Sequence, residues 1–240
     1  MTRNSAFESV RVGVPGGSIR EHPFVPAALK GRSIVLVGLM GAGKTSIGRR
    51  LAARLGLPFR DADSEIEQAA GCTIAELFAR YGERDFRNGE RRVIRRLLAG
   101  EPLVLATGGG AFMDPGTRAA IRQEAVSIWL RCALPILLRR VVMRHTRPLL
   151  AEGDPGEILE RLIAARHPVY AEADLVIDCA DESPEATTGH VMDALLGWTP
   201  PRRLTVALSA TSYDVVVGEG LLARAGALIA PYLPQKRAVV

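Results

Sequence analysis

The chain has 240 residues, 48% of them hydrophobic, and a net charge of +5 carried almost wholly by arginine, a balance that suits one good-sized domain with extensions and an anionic ligand. Three widely spaced cysteines (Cys72, Cys132, Cys179) and four scattered histidines offer neither a disulfide framework nor a transition-metal spacing, so a reducing cytoplasm is expected. No run approaches the about 18 apolar residues of a membrane span, MTRNSAFESV has no signal-peptide core, and no basic stripe is interleaved with aromatics, so neither membrane nor nucleic acid is an expected partner.

Residues 1–30 carry Gly, Pro and Ser without periodicity and read as a disordered N-terminal extension. Residues 33–37 then form a short apolar run, the pattern of a buried strand, and residues 45–55 have a helical pattern. Between them, Gly38, Gly43, Lys44 and Thr45 fit G-x-x-x-x-G-K-[ST], the phosphate-binding loop, in the strand–loop–helix setting it requires. Glycines let the backbone turn its N–H groups onto phosphate oxygens, and the helix start adds donors and a favourable dipole. Gly41, Ala42, Gly43, Lys44, Thr45 and Ser46 therefore form the candidate ATP-binding run, with Lys44 reaching the β- and γ-phosphates and the Thr45 hydroxyl on Mg²⁺. Only three of the 31 basic residues are lysines, so a lysine placed here by chance is improbable.

Gly56 ends that helix, and Phe59-Arg60 leads to Asp61-Ala62-Asp63. Two acids one residue apart at a strand end would suit a metal and a hydroxyl, or a helix N-cap and a surface acid. Residues 65–70 and 73–80 read as two short helices broken at Gly71, with Thr73 and Glu76 as a capping box. Residues 83–99 form a longer helix, and the arginines at 91, 92, 95 and 96 suit a solvated face of it. A buried strand at 103–106 runs into Gly108-Gly109-Gly110, where close approach to the backbone or a flexible turn is expected. A helix over 115–123, a strand over 125–130 and a helix over 134–143 follow. The segment from Arg144 to AEGDPG has the composition of a lid; the helix ending at Tyr170, the strand at 175–178 and the helix at 184–196 complete the pattern. Strands alternating with helices predict an α/β three-layer fold with a five-stranded parallel sheet flanked by helices. Ligands should gather at the carboxyl ends of the strands, where the phosphate loop, the Asp61/Asp63 pair and the glycine triplet all lie.

Taken together, GLMGAGKTSIGRRLA, FRDADSEIE, GERDFRNGE, ATGGG, TRPLL and ARHPVY resemble the shikimate kinase family, small P-loop kinases of the nucleoside-monophosphate-kinase type, over nearly all of the domain at 31–197. The resemblance implies ATP and shikimate as substrates, Mg²⁺ as cofactor, a mobile lid and a monomer. It makes Asp61 the acid that organises Mg²⁺ through water, and Asp63 the acid that bonds the shikimate hydroxyls as base or orienting acceptor. Arg87 and Arg166 become the arginines that grip the substrate carboxylate, and Glu90 the acid that positions Arg87. Gly108, Gly109 and Gly110 line the pocket, and Arg147 in the lid reaches the transferring phosphate. Arg140 fills the place of a lid-helix arginine near adenine; the loop expected to be basic after the last strand is Ala180-Asp181-Glu182-Ser183 here, which leaves adenine to the backbone.

Residues 198–240 read as a linker, two alternating strands, a helix and an incomplete strand, too little for an independent core. SATSYDVVVGEGLLARAGALIA and KRAVV resemble the start of 3-dehydroquinate synthase, which implies a truncated, inactive segment from a bifunctional chain. Two other functions fit the phosphate loop alone: a kinase of another small hydroxy acid such as gluconate, or a non-catalytic nucleotide-binding module.

Overall fold

The computed structural model describes residues 29, 31–143, 154–207, 212–218, 221 and 225. Five parallel strands form its central sheet in the order β2 (Phe59–Asp61), β3 (Val104–Ala106), β1 (Ser33–Val37), β4 (Ala125–Cys132) and β5 (Leu175–Cys179). The order places β1 in the middle, with β3 and β4 as neighbours. All five residues of β1 are buried, which explains the unbroken apolar run: a strand covered on both faces has no solvent side to alternate with. Each such aliphatic side chain contributes ~1.5–3 kcal/mol by leaving water.

Helices α1 (Lys44–Leu55) and α7 (Pro184–Gly197) pack against each other, as do α5 (Leu134–Val142) and α6 (Pro155–Tyr170). Helix α2 (Ala62–Ala70) packs on β2 and on α3 (Ile74–Leu98), and α3 packs on α4 (Pro115–Glu124), which lies against β4. The three-layer α/β fold with a five-stranded parallel sheet is therefore as the sequence predicts. No helix among the described residues is long and apolar enough to cross a membrane.

Local chemistry accounts for most boundaries. Thr73 and Glu76 exchange bonds as a capping box, Glu76 N–H to Thr73 Oγ1 at 3.2 Å and Thr73 N–H to Glu76 Oε2 at 2.8 Å. Asp114, Asp154 and Ser183 cap α4, α6 and α7 through their side chains. Gly82 interrupts α3 with φ 73° and ψ 175°, so the helix is two helices meeting at a kink, where the sequence pattern also divides. Two expectations change. Asp63 lies in the first turn of α2 and not at a strand end, because Asp61 caps a helix that begins at Ala62, three residues before the expected start. Arg91 is not on a solvated face: it binds the Asp114 carboxylate through Nε at 2.8 Å and Nη2 at 2.6 Å, joining α3 to the start of α4.

The core extends past α7 to Trp198, which is buried beneath the Arg32 guanidinium. Beyond it, β6 (Arg202–Ala207) and β7 (Ser212–Val217) pair as an antiparallel hairpin. The expected N-terminal extension falls outside the described residues except for Leu29, which is in the core.

Candidate active site

The phosphate loop follows β1, and its glycines are there for geometry. Gly43 caps α1 with φ 92°, a left-handed conformation that a side chain disfavours. At Gly38 a Cβ would come within 2.8 Å of the Leu130 carbonyl oxygen on β4. Lys44 curls back over the loop, its Nζ donating to the carbonyls of Gly38 at 2.7 Å and Leu39 at 2.9 Å. Ala42 is buried, and its N–H closes a turn on Leu39 O at 3.2 Å. Ser46 Oγ accepts from Arg50 at 2.8 Å. Arg140, on α5, sits beside the loop with Nη1 3.5 Å from the Gly41 carbonyl and 3.9 Å from Cys132 Sγ.

One residue further on, Thr45 Oγ1 donates to Asp61 Oδ2 at 2.8 Å. Asp61 Oδ1 accepts from the Asp63 N–H at 3.2 Å. Asp61 is thus the N-cap of α2, one of the two readings open from the sequence, and also the partner of the Thr45 hydroxyl. The hydroxyl and carboxylate are hard oxygen donors beside the phosphate loop. That set fits Mg²⁺, which takes one or two protein oxygens and fills its shell with phosphate and water. Among the described residues no group of three or more His, Cys, Asp or Glu side chains is placed to hold a metal.

The glycine triplet after β3 faces this loop. None of the three has positive φ; they are glycines for lack of space. A Cβ at Gly108 would lie 2.6 Å from Asp63 Oδ1 and 3.3 Å from Glu90 Oε1. At Gly109 it would lie 3.2 Å from Arg166 Nη1, 3.7 Å from Gly38 O and 3.8 Å from Met40 N. At Gly110 it would lie 2.7 Å from Arg87 Cζ. Gly108 therefore makes room for two carboxylates and Gly109 and Gly110 for one guanidinium each, and the middle one lies beside the phosphate loop. Two carboxylates and two guanidiniums, from α2, α3 and α6, converge on a single backbone stretch.

Glu90 is 1% exposed and accepts from Arg87 Nη1 at 2.7 Å, across the i, i+3 spacing of α3. Burial pushes its carboxyl up, Arg87 pulls it back, and the nearby charges of Asp63 and Asp114 add to the rise. Arg87 also lies 3.5 Å from Glu83 and over the rings of Phe86 and Phe78. Arg166 Nη1 donates to the Gly109 carbonyl at 3.0 Å, and the Tyr170 hydroxyl donates to the same oxygen.

A nucleotide loop joined through one glycine to a carboxylate-and-guanidinium pocket is the layout of a small-acid kinase, and the comparisons decide which. The model of the family described as shikimate kinase matches residues 40–196. The chain belongs to the shikimate kinase family. Shikimate kinase of Paramagnetospirillum magneticum is 60% identical over 166 residues, 69% of this chain and 85% of that one. That of Rhodopseudomonas palustris is 52% identical over 188 residues, 78% of this chain and 92% of that one. Among solved structures, shikimate kinase from Acinetobacter baumannii in complex with shikimate superposes with a TM-score of 0.67 at 36% identity, over 71% of this chain and 96% of the other. The enzyme from Bacteroides thetaiotaomicron gives 0.65 at 28% identity, over 68% and 98%. Shikimate kinases are ATP-dependent phosphotransferases, and this chain is one of them.

Within the shikimate kinase domain, the structure brings Asp63, Arg87, Glu90, Arg166 and the three glycines together, next to Lys44, Thr45 and Asp61. Arg147 and residues 144–153 of the expected lid lie outside the described residues; its last three, Asp154, Pro155 and Gly156, cap and open α6. The acidic loop after β5 is tied to its own surroundings: Asp181 pairs with Arg139 of α5, and Glu182 accepts from Thr187 Oγ1 at 2.9 Å. The sequence reading passed over Tyr170. The signal was present, since ARHPVY places Tyr170 four residues after Arg166, on the same side of a helix.

Proposed function

We propose that this shikimate kinase moves the γ-phosphoryl group of ATP to the 3-hydroxyl of shikimate by positioning and charge neutralisation, without covalent catalysis. The observation that supports this most is the meeting of Asp63, Arg166 and Arg87 on three consecutive glycines beside the phosphate loop. Shikimate offers one carboxylate and three hydroxyls. Planar guanidiniums bind a carboxylate in two parallel bonds, a task suited to Arg87 and Arg166. Glu90 holds Arg87 ready for it. Asp63 accepts from a substrate hydroxyl and aligns its oxygen for in-line attack, as an orienting acceptor or as base.

On the donor side the N–H groups from Gly41 to Ser46 cradle the phosphates. Lys44 exchanges its two loop carbonyls for phosphate oxygens. Kinases of this family work with a divalent metal, and Thr45 and Asp61 are the residues that would hold Mg²⁺, Asp61 through water. Bound there, Mg²⁺ would neutralise charge on the phosphate oxygens. By resemblance Arg147 reaches the transferring group from the lid, Arg140 lies toward adenine, and lid closure keeps water from the phosphoryl group. We read the domain as residues 31–197 acting as a monomer, and residues 198–240 as a linker followed by a segment like the opening of 3-dehydroquinate synthase.

A coupled ADP-release assay tests the acceptor. Turnover is expected with shikimate and not with gluconate; a chain that released ADP equally with either would not be using this carboxylate pocket. Arg87→Ala should raise the shikimate KM by about 30-fold or more, in line with ~2–4 kcal/mol for a severed charged contact, and leave the ATP KM alone.

A further inference from the structure

Gly109 is the middle residue of the acceptor loop, and its carbonyl takes two donors from one helix. One is Arg166, the side chain that must turn toward the substrate carboxylate. The other is Tyr170, which is 0% exposed. Burial pushes the Tyr170 phenol up and outweighs the pull of Arg166 and Arg87, so the hydroxyl stays protonated and remains a donor at any working pH. Its ring is held between Phe112, with centroids 6.4 Å apart, and Trp129, at 5.9 Å. The hydroxyl is therefore fixed by packing, whereas Arg166 reaches the same oxygen with a flexible side chain.

We propose that Tyr170 is a positioning residue of the acceptor site: it holds the Gly109 carbonyl, and with it the glycine loop, so that Arg166 can leave for the substrate carboxylate. The proposal rests on Arg166 being part of the carboxylate clamp. With a neutral carbonyl as its resting partner, Arg166 gains on moving to an anion, because charge-assisted bonds are the stronger. Without the Tyr170 hydroxyl that move would strip a half-buried carbonyl of its remaining donor, and binding would bear the cost. Packing alone would explain an aromatic ring at 170; it does not explain a hydroxyl aimed at the oxygen that Arg166 also uses.

The test is a double-mutant cycle with Tyr170→Phe, which keeps the ring, and Arg166→Ala, read as KM for each substrate and kcat in the full-length chain. Tyr170→Phe is expected to raise the shikimate KM about tenfold, the scale of one hydrogen bond, with kcat and the ATP KM within about twofold of the parent. In the Arg166→Ala background the same change should add less than about twofold. Equal effects in both backgrounds, or a lowered melting temperature with an unchanged shikimate KM, would overturn the role given to Tyr170. If Arg166→Ala itself left the shikimate KM unchanged, the carboxylate clamp would be at fault instead. Differential scanning fluorimetry of each variant separates loss of fold from loss of positioning.

Discussion

The glycine triplet makes this site unusually sensitive to single carbon atoms. A methyl at Gly110 would displace the Arg87 guanidinium, and one at Gly108 would collide with the Asp63 carboxylate. The two substitutions should separate kinetically. Gly110→Ala is expected to raise the shikimate KM by about tenfold, ~1.4 kcal/mol, and Gly108→Ala to act chiefly on kcat; steady-state assays with shikimate varied at saturating ATP compare them. Glu90 gives a pH signature. Its buried carboxyl titrates above the ordinary 4.5, so its favourable contribution is complete below that value and is lost as pH rises through the folded value. Glu90→Gln, which is neutral throughout, should match the parent's melting temperature in acid and exceed it increasingly above about pH 4.5, while weakening the hold on Arg87. Thermal melts across pH check the sign. At this scale the sequence was most legible where chemistry is local: the phosphate loop, the Thr73–Glu76 capping box and the Asp61 cap. It showed the helical spacing of Arg166 and Tyr170 but not the Gly109 carbonyl they share, nor the Arg91–Asp114 pair; these partners lie 61 and 23 positions apart and meet only through the fold.

Elements were readable because each has a covered face and a stop signal of its own. β1, buried on both faces, needed nothing more than its run of aliphatics, and α3 divides at Gly82 where its pattern does. What the pattern could not supply was how elements brace one another. Asp114 shows this. It caps α4 through Thr117 N–H at 2.7 Å and holds Arg91 of α3 in two bonds. Partial burial works against its charge, but Arg91 and Thr117 prevail and keep the carboxyl below its usual range. Asp114→Ala should therefore cost about 1–2 kcal/mol, the range of a lost cap, and Asp114→Asn less, since it can still cap. Urea unfolding at neutral pH measures both. The stabilisation that Asp114 provides is present above its ordinary 3.8 and fades as pH falls through the lower folded value.

Across the whole molecule, β1 stands between the two halves of the chemistry: the donor loop leaves its carboxyl end, and the acceptor pocket gathers at the ends of β3 and β2 beside it. The core closes at Trp198, with the β6–β7 hairpin beyond. Ending the chain after Pro201 is expected to leave shikimate phosphorylation within about twofold of the parent, whereas Trp198→Ala should cost ~3 kcal/mol, the lower range for a buried aromatic. Activity assays and unfolding midpoints compare the two.

The sheet also gives the protein an optical reporter of its own. The chain has two tryptophans, and Trp129, on β4, is 3% exposed with an indole N–H that meets no acceptor among the described residues. Its ring contacts His167 and Tyr170, at centroid distances of 4.8 Å and 5.9 Å, and Tyr170 is bonded to the loop that faces the acceptor. Burial and the charge of Arg131 keep His167 neutral further into acid than usual, so it does not quench the indole at neutral pH. In a Trp198→Phe background, emission should come from Trp129 alone, blue-shifted in its dry setting. Its intensity should change when shikimate is titrated in and return when shikimate is removed, giving a label-free readout of the acceptor site.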